Sequence, residues 1–353
     1  MSSTQAGYKS LFPSTQSLPT DIVAVDDGYA RVKIIGLPPS YAKMMGQGPK
    51  RFLVNSSVGS GGGMASLSDD KMTSWRADGE EFTVADAIDA EDTRFDGFHW
   101  SPMNRVLVAH ALAASGWSGE TIERLYLGLP LRHYYNAAAE KTAFIGRKIA
   151  NLQKAVEPVA GKLQAPFYKN IKVLPQSMAG YIDHFIDFAG NGRSSAKTTA
   201  AVIDIGGRTT DIAYIRESKN IDMKRSVTRN IGVLDVHALI DEGLRDRFAR
   251  TDAAEKHLLD HALRNKTFFH RGVDKDVSDI VTAAVKKIEG DLARAVSSAV
   301  GQLDSIELVL LIGGGADVFL GLRDLIPHAE IPEDPAFANA RGLWKYAAYY
   351  DEK

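Results

Sequence analysis

The chain has 353 residues, of which 44% are hydrophobic and 24% are charged, so it can bury a large core and should form two domains. Its formal net charge of -2 gives no electrostatic reason to expect direct binding to nucleic acid or to an anionic membrane. The absence of cysteine excludes disulfides, thiolate metal sites and cysteine nucleophiles, and it fits a reducing compartment, of which the cytoplasm is the simplest choice.

The N-terminal part begins with a polar stretch and continues as a hairpin. Residues 1–20 are rich in Ser, Thr, Gln and Pro and lack an apolar signal core, which predicts a disordered tail. Ile22 to Val25 is a short apolar strand that runs into an Asp-Asp-Gly turn at Asp26 and then into a second strand, RVKII. Such a turn is usually an ordinary hairpin. In a ligand site, however, Lys33 on the returning strand could point back to the turn and neutralise phosphate oxygens.

Residues 37–75 show a weaker pattern, which prolines and a glycine run at residues 59–63 interrupt. One more strand is expected at Glu81 to Val84. The glycine run is not a P-loop, because no Gly-Lys-Ser/Thr follows it and the required spacing occurs nowhere in the chain. A flexible surface loop is the better interpretation of this run. No segment of the sequence is long and apolar enough to suggest a transmembrane span.

Helices and strands then alternate up to the middle of the chain. The pattern predicts a helix from Pro102 to Ser115, a strand from Leu125 to Leu129 and a helix from about Glu140 to Val156. A strand at Ile171 to Leu174 ends at a proline, and Gln176 follows at the start of the next helix. This junction places Gln176 at the carboxyl edge of a sheet, where open α/β folds bind ligands. A helix-initiating Gln without chemistry is the simpler alternative.

The stretch AVIDIGGRTTD, at residues 201–211, is the strongest motif. Its apolar run ends in Asp204, and Gly206, Gly207 and Thr209 follow before a second strand, DIAYI. Because glycines let backbone N–H groups approach an anion closely, the turn suits a phosphate. A bare carboxylate repels phosphate, so Asp204 would hold a divalent cation through water, since Mg²⁺ keeps much of its hydration. An ordinary glycine hairpin is the alternative.

A polar, glycine-containing break at residues 190–197 indicates a domain boundary just before this motif. Beyond the motif, the sequence predicts a strand from Asp222 to Thr228 and a helix from Leu234 to Phe248, which Gly232 precedes. A long helix follows from Val277 to Val300, and most of its charges should be solvated.

Two histidines, His257 and His261, lie four residues apart on the predicted helix between these elements. They could in principle grip a metal ion. No Glu stands beside His257, as a metalloprotease motif requires, and no third ligand suggests itself. We therefore interpret them as ordinary helix residues.

Near the C-terminus, Leu308 to Ile312 predicts a buried strand that runs into Gly313, Gly314 and Gly315 and then into a helix, ADVFLGLRDLI. A helix N-terminus beside bare backbone admits a flat or anionic group, so this arrangement is typical of a nucleotide site. It is not a dinucleotide fingerprint, because the GxGxxG spacing fails. An aromatic-rich helix near Leu343 to Tyr350 should pack back on the body.

Two acid-glycine hairpins, a Pro-Gln junction between them and a late strand-GGG-helix form an ordered set that resembles the actin, Hsp70 and sugar-kinase superfamily. Residues 26–33 are similar to its first phosphate loop, residues 204–211 fit its second, D-x-G-G-x-T-x-D, and residues 311–315 fit its adenosine motif. The closer resemblance is to the bacterial plasmid-segregation actins, the ParM or StbA family. It covers nearly the whole chain after residue 20 and rests on VDDGYARVK, HWSPMNRVLVAHALAASG, LGLPLRHYY, KVLPQSMAGY and LIGGGADV.

The resemblance implies an actin-like α/β fold, in which two related α/β domains clamp a nucleotide in the cleft between them. Domain I would span residues 21–192, with a small subdomain inserted around residues 37–95, and domain II would span residues 193–330. Residues 331–353 would return to domain I.

The resemblance also implies a bacterial cytoplasmic ATPase, or a GTPase, that uses Mg²⁺ and polymerises head to tail with itself. Open heterologous stacking of this kind produces filaments. The filament would grow between plasmid centromeres bound by a small DNA-binding adaptor protein, and hydrolysis would destabilise it. The chain itself is not expected to bind nucleic acid or a membrane.

Specific residues take roles by the same resemblance. Asp26 and Asp204 would hold Mg²⁺ through water, and Gln176 would orient the attacking water where close relatives often carry Glu. A Gln cannot be a strong general base, so it would act by positioning through a hydrogen bond. The residues expected to contact the nucleotide are Gly28, Tyr29, Lys33, Gly206, Gly207, Thr209, Gly232, Lys286, Glu289, Gly313, Gly314 and Gly315.

The chain departs from the family pattern at two positions. Tyr29 stands where a small hydroxyl residue commonly follows the glycine, and Arg208 adds a charge beside the second loop that could touch phosphate or point to solvent. An alternative function is a small-molecule, sugar-type kinase on the same fold, which would need a substrate-side carboxylate base and a sugar-site motif that is not evident. A chaperone-type ATPase is disfavoured, because no peptide-binding domain follows residue 353.

Overall fold

A computed structural model of the chain describes residues 18–42, 48–61, 73–85, 91–135, 138–193, 199–217, 220–301 and 303–351. The predicted disordered tail lies outside the described residues up to residue 17, as does the end of the predicted glycine-rich loop. Within the described ranges, no helix is long and apolar enough to cross a membrane.

The first part of the chain contains two sheets. Its strands are β1 (Ile22–Asp27), β2 (Arg31–Gly36), β3 (Lys50–Asn55), β4 (Val58–Ser60), β5 (Thr73–Ala77), β6 (Glu80–Val84), β7 (Thr121–Leu129), β8 (Glu157–Ala160) and β9 (Phe167–Pro175). Its helices are α1 (Pro39–Ala42), α2 (Pro102–Leu112), α3 (Leu131–Tyr134), α4 (Ala138–Gln153) and α5 (Gln176–Phe185). The larger sheet has the order β3-β2-β1-β7-β9, and the smaller one has the order β4-β6-β5-β8.

The second part of the chain is built around a third sheet. Its strands are β10 (Thr199–Ile205), β11 (Thr210–Arg216), β12 (Asn220–Ile221), β13 (Val227–Arg229), β14 (Thr267–His270), β15 (Val273–Asp276), β16 (Leu308–Ile312) and β17 (Ala329–Glu330). Its helices are α6 (Val233–Phe248), α7 (Lys256–Asn265), α8 (Ser278–Val300), α9 (Leu322–Leu325) and α10 (Ala338–Tyr349). The sheet order is β12-β11-β10-β16-β17, with β13 also paired to β11, while β14 and β15 form a separate hairpin.

The two large sheets repeat one local topology. In each, an antiparallel hairpin (β1-β2 or β10-β11) is followed by a strand parallel to its first member, β7 or β16. The hairpin registers place Asp26 opposite Lys33 and Asp204 opposite Asp211. All residues of β1 are buried, and so are all but the first of β10, as expected for strands covered on both faces.

Helices α5 and α10 lie between the two large sheets. Ala24 of β1 shares a buried cluster with Ala179 of α5 and with α10. Val202 of β10 shares another cluster with Tyr181 of α5 and Ala338 of α10. On the outer faces, α2 covers the first sheet and α6 and α8 cover the second. The two inner helices therefore connect both hairpins, and the predicted return of the last helix to the body is confirmed.

The predicted strand from Asp222 to Thr228 is wrong over most of its length, since only its end belongs to β13. Only β13 pairs with β11 there, and the preceding residues form a turn. In this turn, Asp222 accepts a hydrogen bond from Lys224 N–H through its side chain and one from Arg225 N–H through its carbonyl. An Asp that bonds the backbone just after it favours a turn over a sheet ladder.

The predicted helix after the triple glycine is also wrong over most of its length. Residues 314–321 form successive turns, and only the short α9 is helical. Gly321 N–H donates to the Glu289 carboxylate of α8 at 2.8 Å, so a side chain takes a donor that would otherwise support a helical turn. The helix N-terminus expected to receive an anion behind the glycines is therefore not formed.

The other predicted elements are confirmed, with shifted boundaries. The helix at residue 102 ends at Leu112 and continues as a π-helical turn at Ala113–Trp117, within which Gly116 adopts a positive φ of 107°. The helix predicted to reach Val156 ends at Gln153, because the edge strand β8 follows. The last helix begins at Ala338 rather than at Leu343.

Candidate functional site

The two acid-glycine hairpins face each other across a cavity of about 1030 Å³. This volume is at the upper end of the range for small-molecule and cofactor sites. Most of the residues predicted to form the site lie in its wall: Asp26, Gly28, Tyr29, Lys33, Gln176, Asp204, Gly206, Gly207, Thr209, Lys286, Glu289, Gly313 and Gly314. The predicted residues Gly232 and Gly315 do not line it.

In the first hairpin, the buried carboxylate of Asp26 has a donor on each of its two oxygens. Lys33 Nζ lies 2.8 Å from Asp26 Oδ2, and Gln176 Nε2 donates to Asp26 Oδ1 at 2.9 Å. Asp26 is 2% exposed, so these two donors replace the water that the carboxylate loses on burial. The position of Gln176 depends on Gly128 of β7, where a Cβ would lie 2.5 Å from Gln176 Cγ.

In the second hairpin, the carboxylate of Asp204 is paired with a neutral donor rather than with a cation. Asp204 is buried, and its Oδ2 accepts a hydrogen bond from Asn339 Nδ2 at 2.7 Å. Burial and, after it, the nearby charge of Asp26 raise the pKa of Asp204 to about 7, while the Asn339 hydrogen bond acts in the opposite direction. No ion pair to Asp204 forms within the described parts of the chain.

Asp211, the cross-strand partner of Asp204, also lines the cavity. Its carboxylate accepts hydrogen bonds from Leu131 N–H at 2.8 Å and from the Thr228 hydroxyl. Burial raises the pKa of Asp211 to about 6 despite these donors. Because Leu131 begins α3 in the first part of the chain, Asp211 ties the second hairpin to the opposite side of the cavity.

The chemistry of the two hairpins fits a hydrated divalent cation. Asp26 and Asp204 both line the cavity, and their negative charges repel each other. Lys33 pairs with Asp26, so a bound cation would relieve the repulsion that remains. Mg²⁺ prefers carboxylate and water oxygens and is commonly held by one or two carboxylates together with substrate phosphates. These two residues are therefore the ones that could hold it.

The glycines of the second loop allow it to touch the first. A Cβ at Gly207 would lie 2.7 Å from Ala30 Cβ, so only a glycine permits this approach. Gly232 supports the same loop from behind, since a Cβ there would lie 2.4 Å from the Gly207 carbonyl oxygen. The N–H of Leu234 donates to that carbonyl at 2.8 Å. Gly232 is thus placed as a spacer under the loop.

The far end of the cavity is formed by α8 and the glycine turn. Lys286 and Glu289 of α8 both line it, and Glu289 is already engaged by Gly321 N–H. Gly313 has a φ of 86°, and a Cβ there would lie 2.4 Å from Asp204 Oδ1. The turn can therefore pass under the second hairpin only with glycine at this position.

Arg208 does not line the cavity, and its side chain is largely buried rather than directed to solvent. Its Nη2 lies 3.1 Å from Asp96 Oδ1, and its guanidinium carbon lies 5.4 Å from the centre of the Tyr29 ring. Tyr29 is itself buried and packs on Phe98 and His99. Arg208 therefore reaches from the second loop to the residue that follows the first loop's glycine.

Sequence reasoning missed several residues of the cavity wall, among them Asn339, Asp211, Lys256 and Asp260. Lys256 Nζ donates to the Ala30 carbonyl at 3.2 Å. Asp211 is a fixed position of the motif and could have been found from it. The other three lie on α7 and α10, far from both loops in the chain, and their types and spacing give no signal.

The two histidines of α7, His257 and His261, do not share a metal site and have separate partners. His257 Nδ1 lies 3.1 Å from Glu255, and the His261 ring contacts Asn265 and Thr267. Across the described residues, no group of three or more His, Cys, Asp or Glu side chains is placed to hold a metal ion.

Two family models match separate parts of the chain. Residues 22–184 match "Plasmid segregation protein ParM, N-terminal", and residues 202–322 match "Archaeal actin homologue MreB-like, C-terminal". No curated protein matches the chain.

Solved structures similar to the chain include a non-polymerisable quadruple mutant of pCBH ParM, with a TM-score of 0.69 and 20% identity. An archaeal actin homologue in complex with ADP has a TM-score of 0.69 and 18% identity. A 15-stranded ParM filament from Clostridium botulinum has a TM-score of 0.67 and 18% identity. Each match covers 92% of this chain and 98% of the other chain.

The fold is an actin-like α/β fold, as the sequence predicts. The predicted resemblance to the ParM family is confirmed by the N-terminal ParM model, which matches residues 22–184, less than half of the chain, and ParM structures share the fold.

Proposed function

We propose that the chain is a Mg²⁺-dependent nucleoside-triphosphate hydrolase that polymerises head to tail and segregates plasmid DNA through a centromere-bound adaptor protein. The observation that carries this proposal is the pair of acid-glycine hairpins that face each other across one cavity. The match to the ParM family model and the likeness to a ParM filament support the assignment of filament formation. The ADP complex of an archaeal actin homologue supports the assignment of a nucleotide.

The loops and Lys33 would bind the phosphates. Gly206, Gly207 and Gly28 line the cavity with little side-chain bulk, so anionic oxygens could approach the backbone of both loops closely. The N–H groups of Gly28 and Gly206 already donate to Arg31 and Thr209 within their turns. Lys33 would add its positive charge from the first hairpin. Asp26 and Asp204 would hold Mg²⁺, which, when bound, neutralises the phosphate charge that develops during transfer.

Gln176 would orient the attacking water. Its amide nitrogen donates to Asp26, which leaves its carbonyl oxygen as an acceptor with a fixed direction. An amide cannot take a proton from the water at neutral pH, so its contribution is orientation. Asp211, also in the wall, has a carboxylate of raised pKa and would be an alternative proton acceptor.

Nucleotide binding would close the cleft, because the ligand contacts hairpins on both sides. Closed subunits would stack head to tail by an open heterologous contact, which produces a filament rather than a ring. Hydrolysis would weaken the contacts to the phosphates and then the stack. The small net charge of the chain supports an adaptor, rather than this chain, as the DNA-binding component.

The test is light scattering and pelleting of the purified protein with Mg²⁺ and ATP, GTP or ADP, with hydrolysis measured in parallel. We expect triphosphate-dependent pelleting that later reverses. Asp204→Ala should slow or abolish the reversal and the hydrolysis. Asp246→Ala, which removes an exposed carboxylate on α6 outside the cavity, is the matched control and should hydrolyse like the wild type.

Two other outcomes would contradict the proposal. If nothing pellets over a wide concentration range while nucleotide still binds, the filament assignment fails. Conversion of the triphosphate to the diphosphate that depends on an added small-molecule acceptor, with the phosphoryl group recovered on that acceptor, would instead identify the sugar-type kinase.

A further inference from the structure

The two helices between the sheets each present one side-chain amide to one hairpin carboxylate. Gln176, the first residue of α5, donates to Asp26 at 2.9 Å, and Asn339, the second residue of α10, donates to Asp204 at 2.7 Å. Both amides lie in the cavity wall. The sequence singled out Gln176 but not Asn339, although the two occupy equivalent places beside the two hairpins.

The crossing of α5 and α10 fixes where Asn339 stands. A Cβ at Gly342 of α10 would lie 1.7 Å from the carbonyl oxygen of Ala179 in α5, so the two backbones are in direct contact. Asp183 of α5 accepts hydrogen bonds from Arg341 Nε at 2.9 Å and from Lys345 Nζ at 2.7 Å. These buried ion pairs set the register of the helices, so neither can slide along the other.

Asn339 itself is incompletely paired. It is 3% exposed, and its Oδ1 has no hydrogen-bond partner among the described residues. A buried amide kept only for packing normally has both ends satisfied, because an unpaired buried polar atom costs free energy. The bond to Asp204 is therefore the contact that explains an amide at this position.

We infer that Asn339 is a positioning residue for the proposed cation site, an inference that rests on the proposed function. It holds one oxygen of Asp204 and so fixes the rotation of the carboxylate about its last bond, which leaves the second oxygen for the hydrated cation. Groups that orient metal-binding carboxylates from behind affect metal affinity as well as activity. Asn339 acts through Asp204 and does not itself touch the phosphates.

The test measures binding of a fluorescent ATP analogue to the full chain during a Mg²⁺ titration and, separately, in EDTA. Asn339→Ala should raise the Mg²⁺ concentration for half-saturation by about 10-fold to 100-fold. Binding in EDTA should change by less than about twofold, because the nucleotide contacts themselves remain. Asn339→Ser, which leaves a smaller gap, should act in the same direction and serves if the alanine variant does not fold.

A matched control is Asn104→Ala. Asn104 is a buried Asn that donates to Asp27 Oδ2 at 2.7 Å, but it does not line the cavity. Its removal costs a similar buried hydrogen bond, so it should lower thermal stability to a similar extent while leaving the Mg²⁺ half-saturation unchanged. A Mg²⁺ shift of the same size in this control would overturn the inference.

A double-mutant cycle gives the second criterion. In the Asp204→Asn background, Asn339→Ala should cause no further Mg²⁺ shift, because a residue that acts through Asp204 has nothing left to orient. Additive shifts, or an equal loss of binding in EDTA, would show that Asn339 has another role. If the wild type shows no Mg²⁺-dependent nucleotide binding at all, the proposed function fails, and that result is distinguishable from failure of Asn339 alone.

Discussion

The two acid-glycine hairpins share one arrangement of strand, acid, glycine turn and strand, but the charges that surround their acids differ. In the first, Asp26 is paired with a cation, Lys33, and with Gln176. In the second, Asp204 has one neutral donor, Asn339, and the next ionisable group across the hairpin is another carboxylate, Asp211. Both carboxylates are buried, so the difference lies in their partners.

The residue after each acid extends this contrast. Asp27 is fully buried beside Lys148, Asn104 and His99. Burial alone would raise the pKa of Asp27, but Lys148 and His99 together hold it well below its usual range. Ile205, the equivalent residue of the second hairpin, is apolar and buried in the core. The first hairpin is thus charge-balanced by the fold, whereas Asp204 and Asp211 of the second form no ion pair within the described residues and have raised pKa values.

The largest expected effect comes from neutralising the two acids in turn. Asp26→Asn should destabilise the nucleotide-free protein by about 3 kcal/mol, because it leaves Lys33 buried without its counter-ion. Asp204→Asn should stabilise it by about 1 kcal/mol, because it removes a desolvated charge that Asp26 repels. Urea unfolding at pH 8 measures both.

Hydrolysis should be lost in both variants, which separates stability from activity. Thr209→Ser, a conservative change in the same cavity wall, is a control for altered packing and should change the unfolding free energy little. Equal destabilisation by the two asparagine variants would contradict the proposed difference between the hairpins.

A smaller effect on stability is expected when the pH is lowered, and it should arise from a histidine near the first hairpin. His133 packs beside Trp100 and Phe144, and burial lowers its pKa to about 3, with nearby positive charges acting in the same direction. Between about pH 6.5 and pH 3, His133 is therefore protonated in the unfolded chain but neutral in the folded chain. As a result, the free energy of unfolding falls as the pH drops from about 6.5 towards 3.

His133→Gln should remove about 2 kcal/mol of this loss between pH 7 and pH 4. The measurement is urea unfolding across that pH range without nucleotide. His257→Gln, at a half-exposed imidazole on α7, is the matched control. An unchanged pH slope in the His133 variant would show that another group is responsible.

The smallest expected effect comes from cutting the contact between the hairpins. In the wild type, the contact of the Arg208 guanidinium with the Tyr29 ring and its ion pair with the exposed Asp96 together should stabilise the protein by about 1 kcal/mol. Arg208→Ala removes both contacts and should lower the free energy of unfolding by that amount. Nucleotide should dissociate a few-fold faster, because the two loops are held together less firmly. Stopped-flow release of a fluorescent nucleotide tests this, and Arg208→Lys should restore only part of the effect.

The local sequence determined both hairpins. An apolar run, an acid and a glycine turn allow one local arrangement, so the strands around Asp26 and Asp204 and the inward direction of Lys33 could be predicted. Gln176 was predictable as well, because a proline ends its strand. The ordered set of motifs also indicated the actin-like fold, since no other feature of the chain was needed for the resemblance. The predicted domain boundaries and ligand roles stay predictions.

Only the tertiary structure decided the contacts made by residues far apart in the chain. Asn339 and Asp204 are separated by the whole second part of the chain, and the crossing at Gly342 that joins them gives no local signal. The helix predicted after the triple glycine failed for the same reason, because Glu289 on another helix takes the N–H of Gly321. Local patterns fix backbone conformation, whereas the partners of buried polar groups depend on which elements the fold brings together.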